Sequence, residues 1–308
     1  MERQEWRRLY REGRYLADLT DSGIGKWLDD LLDGATAFKP AGWDERITHV
    51  EEELTLRGKP LDPAHEIRRR YRTPDEVLED HRAFSAPVGV QLGECLIKYG
   101  KAVYLEQTLR DGLIRIAPAS TYADPSLNSG CHDPEETAFR VFVPPGTELR
   151  VEIGGEYRTA GRLVAVAKHT ADYFVLCASS VLSPRLISAF EADACLVIHD
   201  WKRFVGALTE NSPTPDCSVS ADVVSYIDPF HPDSRLKEAA FAKHLRYAYQ
   251  YEWRVVWQPQ RPIKRLFPVF VRLGDLSSHC ELLRFGNAPQ FAQAQEAKCG
   301  GLGQAQVL

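Results

Sequence analysis

Apolar side chains recur at helical spacing through the first part of the chain. This spacing predicts helices over about residues 2–19 and 25–32. Thr73-Pro74-Asp75-Glu76 marks a further helix start, with Thr as N-cap, Pro in the first turn and Glu three residues after the cap. The pattern therefore predicts a helical N-terminal region over residues 1–88.

From about residue 90 the pattern changes to short runs rich in β-branched and aromatic residues. These runs predict strands over 95–99, 113–117, 137–142, 149–153, 162–167, 173–178, 194–198, 219–227 and 267–271. Gly154-Gly155 predicts a hairpin turn. Helices are fewer here, and they are expected over about 105–112, 200–208 and 234–247.

The order of these elements favours one fold class. Strands and helices do not alternate regularly, so a Rossmann or barrel fold is not expected. We predict an α+β domain over residues 89–276 with a mixed or mostly antiparallel sheet. The segment 277–308 becomes rich in Ala, Gln and Gly towards its end and is predicted to be a partly disordered tail.

Composition indicates which compartment and which partners to expect for the protein. A formal net charge of −5 argues against binding to nucleic acid by bulk charge. The seven cysteines are scattered without a CxxC pair, which favours a reducing compartment and indicates no zinc cluster. Neither a secretory signal nor an apolar run of about 20 residues is present. We therefore expect a cytoplasmic protein with no membrane partner.

The strand YEWRVVW, residues 251–257, carries the first candidate for chemistry. Alternation places Tyr251, Trp253, Val255 and Trp257 on one face and Glu252 and Arg254 on the other. The aromatic face is expected to pack on the core. The other face borders either solvent, as a surface ion-pair strand, or a cleft. In a cleft, the carboxylate could stabilise a sugar cation or deprotonate a hydroxyl.

A second candidate is the polar loop over residues 118–128. It offers hydroxyl, phenol, carboxylate and amide groups on Ser120, Tyr122, Asp124 and Asn128. Such residues are ordinary turn formers, so one interpretation is a plain connection. The loop is long for a turn, however, and long loops are disproportionately functional. Arg115, on the strand that enters the loop, could grip a phosphate through its guanidinium.

Two strand ends complete the candidates. Lys98-Tyr99-Gly100 could hold a nucleotide, or Lys98 could simply be solvated. Cys177-Ala178-Ser179-Ser180 ends a buried strand in two hydroxyls, and the alternative is a serine-rich turn. The GxGxxG, Walker, HExxH and GxSxG motifs are absent from the sequence. Cys131-His132-Asp133 has no second cluster, so a metal site is not expected.

Together these motifs resemble a known family. In order they are KYG, LRDGLIRIAPASTYADPSLN with an acidic DPEE following, FVLCASS, and FAKHLRYAYQYEWRVV. They resemble the DUF2971-like family, distant relatives of the ADP-ribosyltransferase superfamily that includes the DarT-like toxins. The resemblance covers residues 94–257. It implies a split sheet that clamps NAD, with a catalytic glutamate on a late strand.

The resemblance also assigns roles to residues. It implies that Glu252 and its companion Arg254 are catalytic. Residues expected to bind NAD, with Arg115 or Lys98 on the pyrophosphate, are Lys98, Tyr99, Arg115, Ser120, Tyr122, Asp124, Asn128 and Ser179. The chain departs from the family at Tyr-Ala-Asp-Pro, where Phe-Asn-Asp-Pro is usual, and Asn128 is the candidate replacement for the missing Asn. The segment 183–193 is usually rich in aromatic residues, and here it contains only Phe190.

The function implied is transfer of ADP-ribose from NAD, without a metal, to a protein or nucleic acid. A bacterial toxin or an anti-phage defence effector would fit that activity. One alternative is a non-catalytic interaction protein on the same fold, with a partner or a second copy bound through the N-terminal helices. Another is a metal-dependent nuclease using Lys98, Asp124 and Glu252.

Overall fold

The computed structural model describes most of the chain. The described residues are 3–35, 43–61, 74–91, 93–133, 138–143, 150–153, 156–159, 163–168, 171–211, 216–228, 239–261 and 263–285. They belong to two compact units. The first takes residues 1–80, 138–169 and 225–249, and the second takes 81–137, 170–224 and 250–308. Both units are discontinuous in sequence and so differ from the contiguous domains expected at 1–88 and 89–276.

The described part is a mixture of helices and predominantly antiparallel strands, as the α+β prediction requires. The helices are α1 (Arg3–Gly13), α2 (Asp21–Ala35), α3 (Trp43–Leu56), α4 (Pro74–Ser85), α5 (Ala102–Asp111), α6 (Pro184–Ala189) and α7 (Trp201–Glu210). The strands are β1 (Leu96–Gly100), β2 (Leu113–Pro118), β3 (Ala138–Val143), β4 (Arg150–Ile153), β5 (Glu156–Thr159), β6 (Leu163–Lys168), β7 (Phe174–Ser179), β8 (Ala194–Ile198), β9 (Cys217–Val223), β10 (Ser225–Ile227), β11 (Ala242–His244), β12 (Glu252–Pro259), β13 (Val269–Arg272) and β14 (Cys280–Arg284). None of these helices is both long and apolar enough to cross a membrane.

Several elements differ from the prediction. The helix expected over 234–247 is wrong in its described part, because Ala242–His244 forms β11 between two 3-10 turns and pairs in parallel with β10. Helix α3 was not predicted. The tail boundary at 276 is also wrong, since β14 pairs antiparallel with β8. Residues 286–308, and the turn at 154–155 between β4 and β5, lie outside the described residues.

The first unit combines α1, α2 and α3 with three two-stranded pairs, β3–β6, β4–β5 and β10–β11. Helices α1 and α3 are joined through the fully buried carboxylate of Glu53. It accepts hydrogen bonds from Tyr10 (2.5 Å), Arg14 (3.0 Å) and Arg57 (2.7 Å). Burial alone would raise the pKa of Glu53, but the bonds from Arg14 and Tyr10 hold it below its usual value.

The second unit is built on an eight-stranded antiparallel sheet centred on β7. Strand β12 pairs with one edge of β7 from Glu252 opposite Ser179 to Trp257 opposite Phe174. The other edge of β7 is shared between two strands. Strand β2 pairs at the start of β7, with Ala117 opposite Val175, and β1 pairs at its end. The outer strands extend these three, with β13 beside β2, β8 beside β1, β14 beside β8, and β9 beside β12.

This sharing opens a gap in the sheet. On that edge of β7, β2 pairs with residues 174 and 175, and β1 pairs opposite Ser179. Residues 176–178 therefore face the space between β1 and β2, which we call the sheet gap. Strand β2 continues the sheet into β13, and β1 continues it into β8 and β14. The sheet is therefore split at β7 into two groups of strands.

Alternation along β12 places its aromatic residues in the main core. Trp253, Val255 and Trp257 pack with apolar residues of β2, β7 and β8 and with buried side chains of α5 and α7. Trp257 is fully buried. This core confirms the face that the sequence assigned to Trp253, Val255 and Trp257, whereas Tyr251 precedes β12 and is not part of this core. This packing also means that Glu252 and Arg254 project from the opposite face of the sheet.

Candidate functional site

Glu252 and Arg254 form a buried ion pair. Arg254 donates from Nε to Oε1 of Glu252 at 2.7 Å, and the two residues are 0% and 6% exposed respectively. The alternative of a surface ion-pair strand is therefore excluded. Charges taken out of water are retained where they hold each other in a fixed geometry. The carboxylate of Glu252 is thus held in one orientation by its neighbour.

The strand that carries this pair begins at a strained residue. Tyr251 has a φ of 45°, in the left-handed region that residues with side chains rarely adopt. Its carbonyl accepts a hydrogen bond from the N–H of Ser180 at 3.0 Å, which ties the turn to the end of β7. The ring of Tyr251 lies edge-on to His81, with centroids 5.4 Å apart. Strain of this kind is found at positions that the surrounding structure determines strongly.

The strand register places Arg115 on the same face as Glu252 and Arg254. Ala117 is opposite Val175, and side chains two residues apart on a strand share a face. Val175 lies on the face of Cys177, which is opposite Arg254. Arg115 therefore projects from that same face, on the other side of the sheet gap, and its side chain is exposed.

Lys98 lies beside the sheet gap, and the pairing of Ile97 with Ser179 means that its side chain leaves β1 on the face opposite to Glu252. Its ammonium donates to the carbonyl of Cys177 at 3.3 Å. Burial lowers the pKa of Lys98, and Cys177 and Cys131 partly offset that effect. The positive charge of Arg115 lowers the same pKa further, whereas the negative charge of Glu252 raises it. Arg115 and Glu252 therefore both act on the charge of Lys98.

The hydroxyl groups of Tyr99 and Ser179, both predicted to bind NAD, form hydrogen bonds within the protein. The hydroxyl of Tyr99 donates to the carbonyl of Val181 at 2.8 Å and accepts from the N–H of Ser183 at 2.9 Å. Its ring stacks on Phe190, with centroids 5.5 Å apart. The hydroxyl of Ser179 donates to the carbonyl of Gln250 at 2.7 Å. Both hydroxyls hold the turn after β7 in place, and neither points to a ligand through these bonds.

The polar loop after β2 is fastened at both ends. The N–H of Ala119 donates to the carbonyl of Tyr173 at 2.8 Å, which continues the pairing of β2 with β7. At the far end, the N–H of Gly130 donates to Ala189, and the carbonyl of Gly130 accepts from Gln250 at 3.0 Å. A Cβ atom at Gly130 would lie 2.7 Å from the ring of Phe190. Glycine is therefore required for this close approach.

Within the loop, Asn128 and Ser120, which were predicted to bind NAD, form hydrogen bonds with other groups of the protein. The amide of Asn128 donates to the carbonyl of Phe190 at 3.0 Å and accepts from Cys131 at 3.0 Å. Ser120 bonds Asp172 through both its N–H (3.1 Å) and its hydroxyl (2.6 Å). The side chain of Asn128 therefore stabilises the conformation of the loop, and Ser120 anchors the start of the loop to Asp172.

Asp124 and Tyr122 lie further along the loop. Asp124 is exposed and accepts from the N–H of Ser126 at 2.9 Å, a bond that lowers the pKa of its carboxyl group. The carbonyl of Tyr122 accepts from the N–H of Asp133 at 2.7 Å, and its side chain is half-buried. The carboxylate of Asp124 thus belongs to its own turn. These contacts do not join it to Lys98 and Glu252, the combination that a nuclease site would use.

Gln250 also supports the site, although the sequence patterns did not indicate it. Gln250, which is 2% exposed, accepts from Ser179 through its carbonyl and donates to Gly130 through its side chain. It therefore joins the end of β7 and the polar loop to the start of β12. A single glutamine in an aromatic segment has no local pattern that indicates this role.

The described residues thus bring together part of the predicted site. Arg115, Glu252 and Arg254 share one face of the sheet, and the ammonium of Lys98 bonds to Cys177 at the sheet gap. Tyr99, Ser120, Asn128 and Ser179 instead bond to groups of the protein around them. No group of three or more His, Cys, Asp or Glu residues in the described part of the chain is arranged to hold a metal ion. No protein-family model, curated protein or solved structure matches this chain.

Proposed function

We propose that this chain is an ADP-ribosyltransferase that uses NAD as its substrate. The observation that carries the proposal is the position of Glu252. Its carboxylate projects from the same face as Arg115, across a sheet gap at which the ammonium of Lys98 lies. A dinucleotide needs cations for its pyrophosphate and a carboxylate near the ribose, and this arrangement offers both.

The reaction assigns a role to each group. The bond between nicotinamide and ribose breaks, nicotinamide leaves with the bonding electrons, and positive charge develops on the ribose as in glycoside hydrolysis. Glu252 would bind a ribose hydroxyl and stabilise that charge. Arg115 and Lys98 would bind the pyrophosphate. An acceptor nucleophile then bonds to the anomeric carbon and loses its proton.

Arg254 has a positioning role in this scheme. Its guanidinium is fully buried against Glu252 and therefore lies behind the carboxylate. Fixing a catalytic group in advance avoids reorganisation during the reaction. The acceptor would be a macromolecule, protein or nucleic acid, as expected for a toxin or a defence effector.

The test is incubation of the purified protein with labelled NAD and a bacterial lysate, followed by separation of protein from nucleic acid. We expect label in one of the two fractions and release of nicotinamide. Glu252→Asp keeps the negative charge but withdraws it by one methylene, and we expect a loss of about 10²–10³ in rate. This variant keeps a carboxylate beside the guanidinium of Arg254.

Arg115→Gln supplies a second variant with a matched control. Arg115 and Arg110 are both exposed, but Arg110 pairs with Asp111 at the end of α5. We expect Arg115→Gln to raise the KM for NAD by about tenfold or more, and Arg110→Gln to leave it unchanged. Equal NAD consumption by Glu252→Asp, Arg115→Gln and the wild type would exclude this site. Nucleic acid cleavage that a chelator abolishes would favour the nuclease instead.

A further inference from the structure

Strand β9 is a long outer strand of the sheet in the second unit. Among the described strands it pairs with β12 alone. Its seven residues, CSVSADV, are exposed except for the partly buried Cys217 and Val219. Val223 is 51% exposed despite its apolar side chain. Outer strands of this length are templates for pairing with another chain, and proteins usually protect them.

The register shows which backbone groups face outward. The N–H of Val224 donates to the carbonyl of Glu252 in β12 at 2.9 Å. Residues of an antiparallel strand turn their N–H and C=O groups alternately to one neighbour and to the other. Ser220 therefore faces β12, and Val219 and Ala221 direct their N–H and C=O groups to the outer edge.

Protection of this edge is slight. The usual protecting residues, lysine and proline, do not occur in β9. Its one charged residue is Asp222, whose carboxylate accepts from the N–H of Val223 at 2.8 Å. That bond uses the outward N–H at one end of the strand. Among the described residues, no backbone hydrogen bond uses the outward N–H and C=O groups of Val219 and Ala221 at the centre of the strand.

We infer that β9 pairs antiparallel with β9 of a second copy of this chain, about a two-fold axis at Ser220. This pairing sets Val219 opposite Ala221 of the second copy, and the reverse, which forms four backbone hydrogen bonds. Ser218 then lies opposite Asp222 of the second copy. A hydroxyl faces each carboxylate, and the two sheets become continuous across the axis. The pairing does not depend on the proposed enzymatic activity.

The charges and the length of β9 select this register. An axis at Ser220 pairs all seven residues of the strand. Moving the axis to Val219 would bring Asp222 opposite Asp216 of the second copy, and an axis at Asp222 would set the two copies of that carboxylate face to face. Like charges directly opposite destabilise a strand pair. An axis at Ala221 pairs only five residues of the strand and leaves Cys217 and Ser218 outside the pairing.

Disulfide trapping of the full-length chain tests the register. At the axis, the two copies of residue 220 form a pair without hydrogen bonds, with Cα atoms about 4.5 Å apart. This separation suits a disulfide bond. We expect Ser220→Cys to form a covalent dimer under mild oxidation. The matched control Ser218→Cys lies on the same face of the same strand, but faces Asp222 of the second copy and should remain uncrosslinked. The opposite result would overturn the register.

A charge exchange at the same position tests the dimer itself, measured as molar mass by light scattering over a concentration series. The wild type should rise from 34.7 kDa towards twice that mass. Ser220→Lys and Ser220→Glu each oppose two like charges at the axis, and we expect the dimer dissociation constant to increase on the order of tenfold for each. Mixing the two variants should restore the dimer. A wild type that stays at 34.7 kDa, or single variants that dimerise as the wild type does, would overturn the proposal.

Discussion

The buried ion pair on β12 predicts how much the free energy of unfolding falls when Glu252 is replaced. In Glu252→Gln, the guanidinium of Arg254 keeps its charge but loses its ion pair with the Glu252 carboxylate, at a position with 0% exposure. Breaking a buried ion pair by removing one partner costs about 3–5 kcal/mol, because the remaining charge is not compensated. We expect the free energy of unfolding of the second unit to fall by that amount.

Two further variants separate the effect of burial from the effect of charge. Glu106→Gln removes the carboxylate from the pair with Arg284, whose side chains are 43% and 54% exposed, and should cost no more than about 1 kcal/mol. The double variant Glu252→Leu with Arg254→Met replaces both charges by apolar groups. Such a replacement is often neutral, so most of the lost stability should return.

The assay is urea unfolding followed by tryptophan fluorescence, since Trp253 and Trp257 lie on the same strand as the ion pair. In a thermal experiment, a unit of this size shifts by about 2–4 °C for each kcal/mol, so Glu252→Gln should lower the transition by roughly 6–20 °C. A loss below about 1 kcal/mol would refute the buried ion pair. So would a double variant that is no more stable than Glu252→Gln.

Two other predictions concern the site and its supports. Glu252 raises the pKa of Lys98 and Arg115 lowers it. Arg115→Gln should therefore raise this pKa and Glu252→Gln should lower it, as measured by NMR of the dimethylated Lys98 amine. Shifts of the same sign would show that the three groups are not neighbours. Gly130→Ala should destabilise the fold by about 1–3 kcal/mol, since its Cβ would overlap a ring and a carbonyl. Gly206→Ala, at an open position within α7, should instead stabilise the fold by about 0.5–1 kcal/mol, and chemical unfolding of both variants measures the difference.

Local patterns predicted most of the elements that the structure contains. Alternation in the strand YEWRVVW correctly placed its tryptophans in the core, because successive side chains of a strand point to opposite faces of the sheet. The Thr-Pro-Asp-Glu signal correctly placed the start of α4. The helix expected over 234–247 failed because pairing of β10 with β11 outweighed local helical preference. Strand β14 was missed because its partner β8 is about 80 residues away in the sequence.

The sequence by itself determined the fold class, the faces of the strands and the short list of charged residues that could carry chemistry. These depend on side-chain period and residue type, which are local properties. The tertiary structure decided which of those residues meet. Lys98, Arg115 and Glu252 lie on three different strands, and these strands are neighbours at the sheet gap because β7 pairs with β1, β2 and β12. The same pairing gave Tyr99, Ser179 and Asn128 partners within the protein, since hydroxyl and amide groups taken from water bind the nearest backbone.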